Sequence, residues 1–320
     1  MLDNQGRNIE YIRISVTDRC NLRCKYCMPK DIEMVPMEDI LSYEEIIRVA
    51  KSCCGLGINN FRLTGGEPLV RKGSVDLVKR LKELPGCKSV SMTTNGVLLS
   101  RYAKDLKEAG LDSVNVSLDT IDRECFKSLT NRDNLNEVLW GIDAAIANGI
   151  KVKVNAVARE DLDWRMLLQK TDDLGVRLRF IEMMPIGFGA SSAGRSNVEL
   201  LKEMESTFGP AYINDRKFGN GPAVYYSFRN HASPVGFISA MHGKFCNMCN
   251  RVRLTSEGKL KLCLSYADGT DLRAVLRDEK SSEEVLTDTI REAILRKPAE
   301  HSFEKLSDIT EHKPMISIGG

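Results

Sequence analysis

Three cysteines stand close together near the N-terminus, Cys20, Cys24 and Cys27, in the pattern CxxxCxxC. Structural zinc ordinarily takes four ligands, as two spaced pairs. Three thiolates on one short loop instead suit three irons of a cubane cluster and leave the fourth iron without a protein ligand. An open iron is a place where a small molecule can chelate, and Tyr26 sets an aromatic face beside it. A second group, Cys246, Cys249 and Cys263, again offers three thiols. Its spacing leaves two readings: with His242 it makes a Cys3His zinc site of ordinary shape, and alone it makes a second cubane with one open iron. Arg251 and Arg253 follow Cys249. They are either a solvated basic edge or a clamp for an anionic ligand, since Arg makes bidentate contacts to phosphate. The other four of the ten cysteines, Cys53, Cys54, Cys87 and Cys125, read as small apolar thiols in or near the core.

The elements that must position these groups read as alternating strand and helix over the first two-thirds of the chain. Strands are expected at 11–16, 60–64, 89–93, 113–118, 151–157 and 177–183, and helices at 74–84, 101–109, 136–148 and 164–174. An earlier helix opens at Ser42, where Ser42 and Glu45 fit a capping box, and Gly55 and Gly57 offer its stop. Six βα units in series imply a parallel sheet with right-handed crossovers, either doubly wound or a partial barrel. Period-two reading favours the barrel. Ile12, Ile14 and Val16 share one face of the first strand, and Arg13 lies on the other; Phe61 and Leu63 oppose Arg62; Val152, Val154 and Ala156 oppose Lys153. The apolar face suits covering helices, so the cations line an interior. A closed eight-stranded barrel fills its interior with branched apolar side chains. Cations there are costly unless something anionic enters. An open six-stranded barrel with a basic lumen meets both constraints; a half-exposed sheet with solvated cations is the plainer alternative.

After about residue 198 the pattern changes. A helix at 197–208 precedes a stretch rich in Gly, Pro and aromatics (209–245), a hairpin turn at Ser256, Glu257 and Gly258, helices at 271–278 and 282–296, and a polar tail ending in Gly319 and Gly320. The division is therefore a partial barrel at 1–209 and a smaller α+β module at 210–320 that carries the second cysteine group. The 320 residues are 42% hydrophobic and 28% charged with a net charge of only +2, so no global field announces nucleic acid or an anionic membrane. The polar, acidic N-terminus is unlike a secretory segment, and no run reaches the ~18–20 apolar residues of a membrane span. A reducing, cytoplasmic location fits clustered cysteines that bind metal. Neither a Walker loop nor GxGxxG follows the first strand.

Taken with Tyr26, the first cysteine group resembles the CxxxCx(aromatic)C signature of radical S-adenosylmethionine (SAM) enzymes. Gly65, Gly66, Glu67 and Pro68, after the second strand, are similar to that family's GGEP loop. RISVTDRC at 13–20, CKYCMP at 24–29, CNRVRLT at 249–255, GKLKLCL at 258–264 and the terminal Gly319-Gly320 resemble the GTP 3′,8-cyclases of molybdenum cofactor biosynthesis, the MoaA family, over nearly the whole chain. The resemblance implies an incomplete (βα)6 triosephosphate-isomerase-type barrel, the radical SAM core, and a C-terminal α+β module with a second iron–sulfur cluster. It implies two [4Fe–4S] clusters, held by Cys20, Cys24 and Cys27 and by Cys246, Cys249 and Cys263. It implies SAM contacts from Tyr26, Gly66, Ser117 and Met184, and GTP contacts from Arg13, Arg62, Thr93, Lys153, Arg251, Val252 and Arg253. Gly319, Gly320 and Arg13 would assist the reaction, a lyase-type cyclisation in which a 5′-deoxyadenosyl radical removes the ribose H3′ and the C3′ radical attacks C8 of guanine.

The same resemblance implies a homodimer, an electron donor such as flavodoxin or ferredoxin, and a pyranopterin-forming (MoaC-type) enzyme that receives the product, with no nucleic-acid or membrane partner. The chain departs from the family in a short loop at 159–163, in the Met183-Met184 ending of the sixth strand, and in Lys313 where Arg is common. A radical SAM peptide-modifying enzyme with one auxiliary cluster is the second reading. A zinc-stabilised nucleic-acid-binding protein is the third, opposed by the near-neutral charge.

Overall fold

The computed structural model describes residues 1–28, 31–216 and 218–319. In chain order its regular elements are β1 (Tyr11–Ser15), α1 (Tyr43–Gly55), β2 (Asn60–Thr64), α2 (Ser74–Lys82), β3 (Ser89–Thr94), α3 (Leu99–Glu108), β4 (Ser113–Ser117), α4 (Arg123–Thr130), α5 (Leu135–Ala147), β5 (Lys151–Ala158), α6 (Trp164–Asp173), β6 (Arg177–Glu182) and α7 (Asn197–Phe208). There follow β7 (Ala211–Asn214), β8 (Val224–Phe228), β9 (His231–Ile238), β10 (Arg251–Leu254), β11 (Lys259–Lys261), β12 (Thr270–Asp271), α8 (Leu272–Arg277) and α9 (Glu283–Leu295). The expected six βα units are present. The capping box at α1 forms as read: Glu45 N donates to Ser42 Oγ at 3.1 Å and Ser42 N donates to Glu45 Oε2 at 2.6 Å. Gly57 takes φ 82° just past the end of α1, a conformation that costs glycine little.

β1 to β6 pair in sequence order, all parallel. Their apolar faces turn outward as expected: Ile12, Ile14, Val16, Phe61, Leu63, Val114, Val116 and Val154 are fully buried under the helices. Each such side chain contributes about 1.5–3 kcal/mol by leaving water, which makes this face the one that must be covered. The opposite face carries the cations.

The C-terminal strands do not form a separate sheet. β10 pairs parallel with β1 (Tyr11 beside Arg251, Arg13 beside Arg253), and β9 pairs parallel with β6. The complete order is β12-β11-β10-β1-β2-β3-β4-β5-β6-β9-β8-β7, so residues after 210 extend the barrel at both edges. α9 packs on α1 and joins the outer helical layer. Two features were not read from the sequence. α4 is a short helix capped by Asp122, whose side chain accepts from Cys125 N, and the aromatic-rich stretch holds the antiparallel β7–β8–β9 ribbon. No helix is long and apolar enough to cross a membrane among the described residues.

Candidate active site

Cys20, Cys24 and Cys27 lie on the loop that leaves the carboxyl end of β1. The loop is held from two sides. Arg23 N and Lys25 N donate to Thr130 O and Leu129 O at the end of α4, at 2.9 and 3.1 Å. On the other side Gly66 N donates to Thr17 O at 2.7 Å and Glu67 N to Arg19 O at 2.8 Å. A Cβ on Gly66 would sit 2.3 Å from Arg19 O, and one on Gly65 would sit 2.5 Å from Thr17 O. These glycines therefore admit the backbone of the cysteine loop itself. Glu67 is fully buried and accepts from Leu69 N, Thr94 Oγ1 and Asn95 N at 3.1, 2.8 and 2.7 Å. Burial pushes its carboxyl up to about 7, against the pull of those three donors.

Asn95 continues the chain of contacts. Its Oδ1 accepts from Val97 N at 3.0 Å, and its Nδ2 donates to Asn21 Oδ1 at 2.8 Å and towards Cys20 Sγ at 3.7 Å. Every polar atom of the amide is used, so its orientation is fixed. Tyr26 donates its hydroxyl to Asp119 Oδ2 at 2.7 Å, and Asp119 also accepts from Val157 N. Burial raises the thiols of Cys20 to about 11 and of Cys27 to about 12, and that of Cys24 well above the usual range, with mutual repulsion adding to Cys24. Left alone they stay protonated. A cationic iron is what makes buried thiolates stable, so the donor set and its surroundings fit a cluster.

The inner faces of the strands enclose a chamber of about 250 Å³. Arg13, Arg62, Lys153, Arg179, Arg251 and Arg253 all line it, as do Thr93, Ser117 and Met184. Cross-strand register makes the crowding explicit, because Arg253, Arg13 and Arg62 are direct neighbours on β10, β1 and β2. Burial, with repulsion from Arg62, Arg251 and Arg179, lowers Arg13 to about 10 although Tyr11 opposes this. Burial first, then Arg179, Arg62 and Lys151, lowers Lys153 to about 8. Arg253 is pushed well below its ordinary value by burial and by Arg13 and Arg251. Among the described residues none of Arg62, Lys153, Arg179, Arg251 or Arg253 pairs with a carboxylate. Arg179 NH2, Arg251 Nε, Thr93 Oγ1 and Asn115 Oδ1 are buried without a hydrogen-bond partner. Buried polar groups of this kind are costly unless a ligand meets them; the guanidinium donors among them fit a polyanion, and the Asn115 oxygen accepts from a donor on the same ligand.

Cys246, Cys249 and Cys263 line the same chamber. His242 does not join them: its Nδ1 lies 3.0 Å from Glu182 Oε1, and the ring is largely exposed. Lys297 lines the chamber with the group instead and donates to Leu262 O. Arg7 holds the surroundings together, with NH1 donating to Cys246 O at 2.9 Å and Ala299 O at 2.8 Å, NH2 to Pro298 O at 2.8 Å and Nε to Asp3 at 2.7 Å. The polar tail enters the barrel. Ile316 and Ile318 are buried, and Gly319 O accepts from Arg253 NH1 at 2.8 Å and Thr64 Oγ1 at 3.4 Å. Gly320 lies outside the described residues.

A model of the Radical SAM superfamily matches residues 14–170, and one described as Molybdenum Cofactor Synthesis C matches residues 176–303. A GTP 3′,8-cyclase of Clostridium perfringens strain 13 is 42% identical over 100% of both chains. The GTP 3′,8-cyclase 1 of Pseudomonas aeruginosa is 41% identical over 100% of this chain and 99% of its own. This chain belongs to the GTP 3′,8-cyclase family. In the solved structures the fold recurs in Streptococcus suis SuiB bound to its precursor peptide SuiA, with a TM-score of 0.62 at 14% identity, covering 98% of this chain and 77% of that one. Methylornithine synthase matches with a TM-score of 0.51 at 19% identity over 63% of each chain. Those likenesses concern the fold alone.

Within this GTP 3′,8-cyclase family member, the residues singled out by sequence fall into three places. The cations of β1, β2, β5 and β10 meet in the chamber with Thr93, Ser117 and Met184. Tyr26 stands outside the chamber, in an adjoining pocket with Arg159 and Met183. Val252 is turned away: alternation buries its side chain in the core between Arg251 and Arg253, so only its backbone faces their side. Sequence reading missed Arg179 and Lys297. Arg179 carries the same period-two signal as Arg13, and Gly236 opposite leaves it room, since a Cβ there would lie 2.7 Å from Arg179 Cγ. Lys297 has no local signal.

Proposed function

We infer that this chain is a radical SAM GTP 3′,8-cyclase, a lyase that converts GTP to (8S)-3′,8-cyclo-7,8-dihydroguanosine 5′-triphosphate in molybdenum cofactor biosynthesis. The observation that carries the reading is a chamber that joins the second thiol triad to a row of cations, among which Arg62, Lys153, Arg179, Arg251 and Arg253 pair with no carboxylate among the described residues, while the first triad lies on the loop that leaves β1. Its cofactors are two [4Fe–4S] clusters and SAM. When bound at the first triad, the cluster and SAM supply the 5′-deoxyadenosyl radical that removes the ribose H3′. Cys20, Cys24 and Cys27 hold that cluster, and Cys246, Cys249 and Cys263 the second. Tyr26, Ser117 and Met184 serve SAM; Gly66 serves it by shaping the loop that backs the first triad.

The chain's own contribution to the nucleotide is position and charge. Arg13, Arg62, Lys153, Arg251 and Arg253, with Thr93 and the backbone of Val252, bind GTP, and Arg179 adds a cation on β6. Each charge-assisted contact contributes roughly 1.5–3 kcal/mol net, so five or more together outweigh stripping water from a triphosphate. Arg13 and the Gly319-Gly320 tail act nearest the reacting ribose. The barrel at 1–209 serves SAM, and the region at 210–320 completes the nucleotide site. A cytoplasmic homodimer, reduced by a flavodoxin or ferredoxin and passing its product to a MoaC-type enzyme, fits this chemistry.

The test is anaerobic incubation with SAM, GTP and a reductant. The expected result is 5′-deoxyadenosine and a cyclised nucleotide, from protein with about eight irons per chain. Deoxyadenosine released with peptide substrates but not with GTP would instead favour a peptide-modifying enzyme. Zinc in place of the second cluster would remove the guanosine chemistry. In Arg251→Ala the dissociation constant for GTP should rise roughly 10- to 100-fold, by one charge-assisted contact, with iron content unchanged. Loss of iron in that variant would move Arg251 from the substrate to the cluster.

A further inference from the structure

The loop that bears Cys20, Cys24 and Cys27 also presents cations at the surface. Arg23 and Lys25 flank Cys24, and both are stitched to the end of α4. Their backbone N–H groups donate to Thr130 O and Leu129 O at 2.9 and 3.1 Å, and Lys25 Nζ donates to Ser128 Oγ at 3.1 Å. Asn131 Nδ2 donates in the other direction, to Arg23 O at 2.7 Å. Lys127 and Arg132, on either side of this seam, are exposed, as is Lys25, and Arg23 is half-buried. The Arg23 guanidinium folds back onto its own loop, donating to Cys20 O at 2.5 Å and Leu22 O at 2.8 Å. One facet therefore carries four cations and backs onto the backbone of Cys20 and Cys24.

None of these four cations pairs with a carboxylate among the described residues. The acids around them are taken. Asp122 accepts from Cys125 N, Asp133 accepts from Arg123 through both oxygens at 2.9 and 2.8 Å, and Asp161 pairs with Arg159. Glu124 lies on the first turn of α4, at the opposite end from Arg132. Other surface arginines are paired: Arg48 with Glu283, Arg80 with Glu44 and Arg277 with Glu45. In a chain of net charge +2, four unpaired cations on one loop and helix end make a local field. A recess of about 290 Å³ opens beside them, lined by Lys25, Ser128, Leu129 and, from between Cys24 and Cys27, Tyr26.

We propose that this facet is where an acidic electron-carrier protein docks to deliver the single electron that the first cluster needs. The proposal rests on the reading of the triad as the [4Fe–4S] site of a radical SAM cyclase, and deepens it by placing the donor. The step moves one electron from the reduced carrier to the oxidised cluster. No bond forms or breaks, and the carrier leaves oxidised by one electron. Such a carrier must approach from outside, because the chamber serves the substrate. The facet allows that approach through the backbone of the triad loop itself. Complementary charge speeds encounter and sets orientation more than it adds affinity, which suits a carrier that must leave after each delivery. Small interfaces of this transient kind are usual for redox pairs.

The experiment uses the anaerobic, cluster-loaded full chain, flavodoxin as the acidic carrier, and three double variants. Lys127→Glu with Arg132→Glu reverses the exposed charges on α4 and its end without touching the triad loop. Lys127→Gln with Arg132→Gln neutralises them. Lys202→Glu with Arg229→Glu makes the same change of net charge on α7 and the β8–β9 turn. Fluorescence anisotropy of labelled flavodoxin gives its dissociation constant, and 5′-deoxyadenosine release with SAM and GTP is followed with flavodoxin hydroquinone or with dithionite. The dissociation constant should rise about tenfold or more on reversal, less on neutralisation and little in the third variant, and the KM for flavodoxin should follow it at unchanged kcat. Added salt should weaken binding more in the parent chain than in the neutralised one. Release driven by dithionite should be the same in all four proteins. An unchanged dissociation constant on reversal overturns the proposal, and so does an equal loss in the third variant. A loss with dithionite as large as with flavodoxin overturns it, as does conversion of a dimer to a monomer by the reversal, which would give the facet to a second copy of the chain. No deoxyadenosine from the parent chain with dithionite overturns the cyclase reading itself, a result distinct from the others.

Discussion

Lys153 is where the chamber's excess of positive charge becomes measurable at the scale of one residue. Burial, Arg179 on β6, Arg62 on β2 and Lys151 on its own strand bring its ammonium down to about 8, from an ordinary 10.5. Two pH dependences of opposite sign follow. The folded state holds fewer protons than the unfolded one between about 8 and 10.5, so this group lets stability rise with pH across that window. GTP binding behaves the other way, because the triphosphate needs the ammonium. Affinity for GTP should weaken as pH rises through 8, by up to roughly tenfold per unit from this one proton. Calorimetry at pH 7 to 9 should show that slope in the parent chain and a flatter one in Lys153→Arg, which keeps its charge. Lys153 was legible in the sequence because its strand alternates, as were Arg13 and Arg62. Arg179 obeys the same rule, since Arg177, Arg179 and Ile181 share a face. Lys297 is different, for its place in the chamber with Cys249 is set by Arg7, which ties the N-terminal segment to residues 297–299.

At the scale of elements, the first cysteine loop depends on the loop after β2 more than on its own residues. Gly66→Ala would place a methyl group 2.3 Å from Arg19 O, a backbone atom with no side chain to swing aside. The two loops must part, breaking the Gly66 N to Thr17 O and Glu67 N to Arg19 O bonds. The expected outcome is selective: iron falls from about eight to about four per chain as the first cluster is lost, while the second remains. Full iron content in Gly66→Ala would mean that the loops do not need this contact. The GGEP-like string itself was plain in the sequence; that its glycines face the cysteine loop was not, since the distance between Gly66 and Arg19 exists only after β1 and β2 pair. The same limit hid the continuity of the sheet. β10 carries a four-residue basic and apolar alternation, RVRL, that says strand but names no neighbour. Its pairing with β1 brings Arg253 beside Arg13, and only that register completes the cation row.

At the scale of the whole molecule, residues 311–319 are held in the barrel by a few contacts with distant parts of the chain, and the buried Lys261–Glu311 pair is the most costly to disturb. Both side chains are nearly inaccessible, Lys261 Nζ also donates to Tyr266 O, and Glu311 Oε1 accepts from Lys313 N at 2.9 Å. Removing one partner strands a buried charge, a loss of about 3–5 kcal/mol, whereas replacing both with apolar groups of similar volume is often close to neutral. Lys261→Met should therefore lower stability by about that amount, and Lys261→Met combined with Glu311→Leu should recover most of it. Urea unfolding of the anaerobic, cluster-loaded chain measures both. Hydrogen exchange over residues 311–319 adds the local reading: protection should fall in the single variant and return in the double one. Equal losses in the two variants would show that the pair is a specific clasp, held by its hydrogen bonds to Tyr266 and Lys313 rather than by mutual neutralisation. A stable single variant would show that Ile316, Ile318 and the Arg253 contact to Gly319 suffice to keep the tail seated.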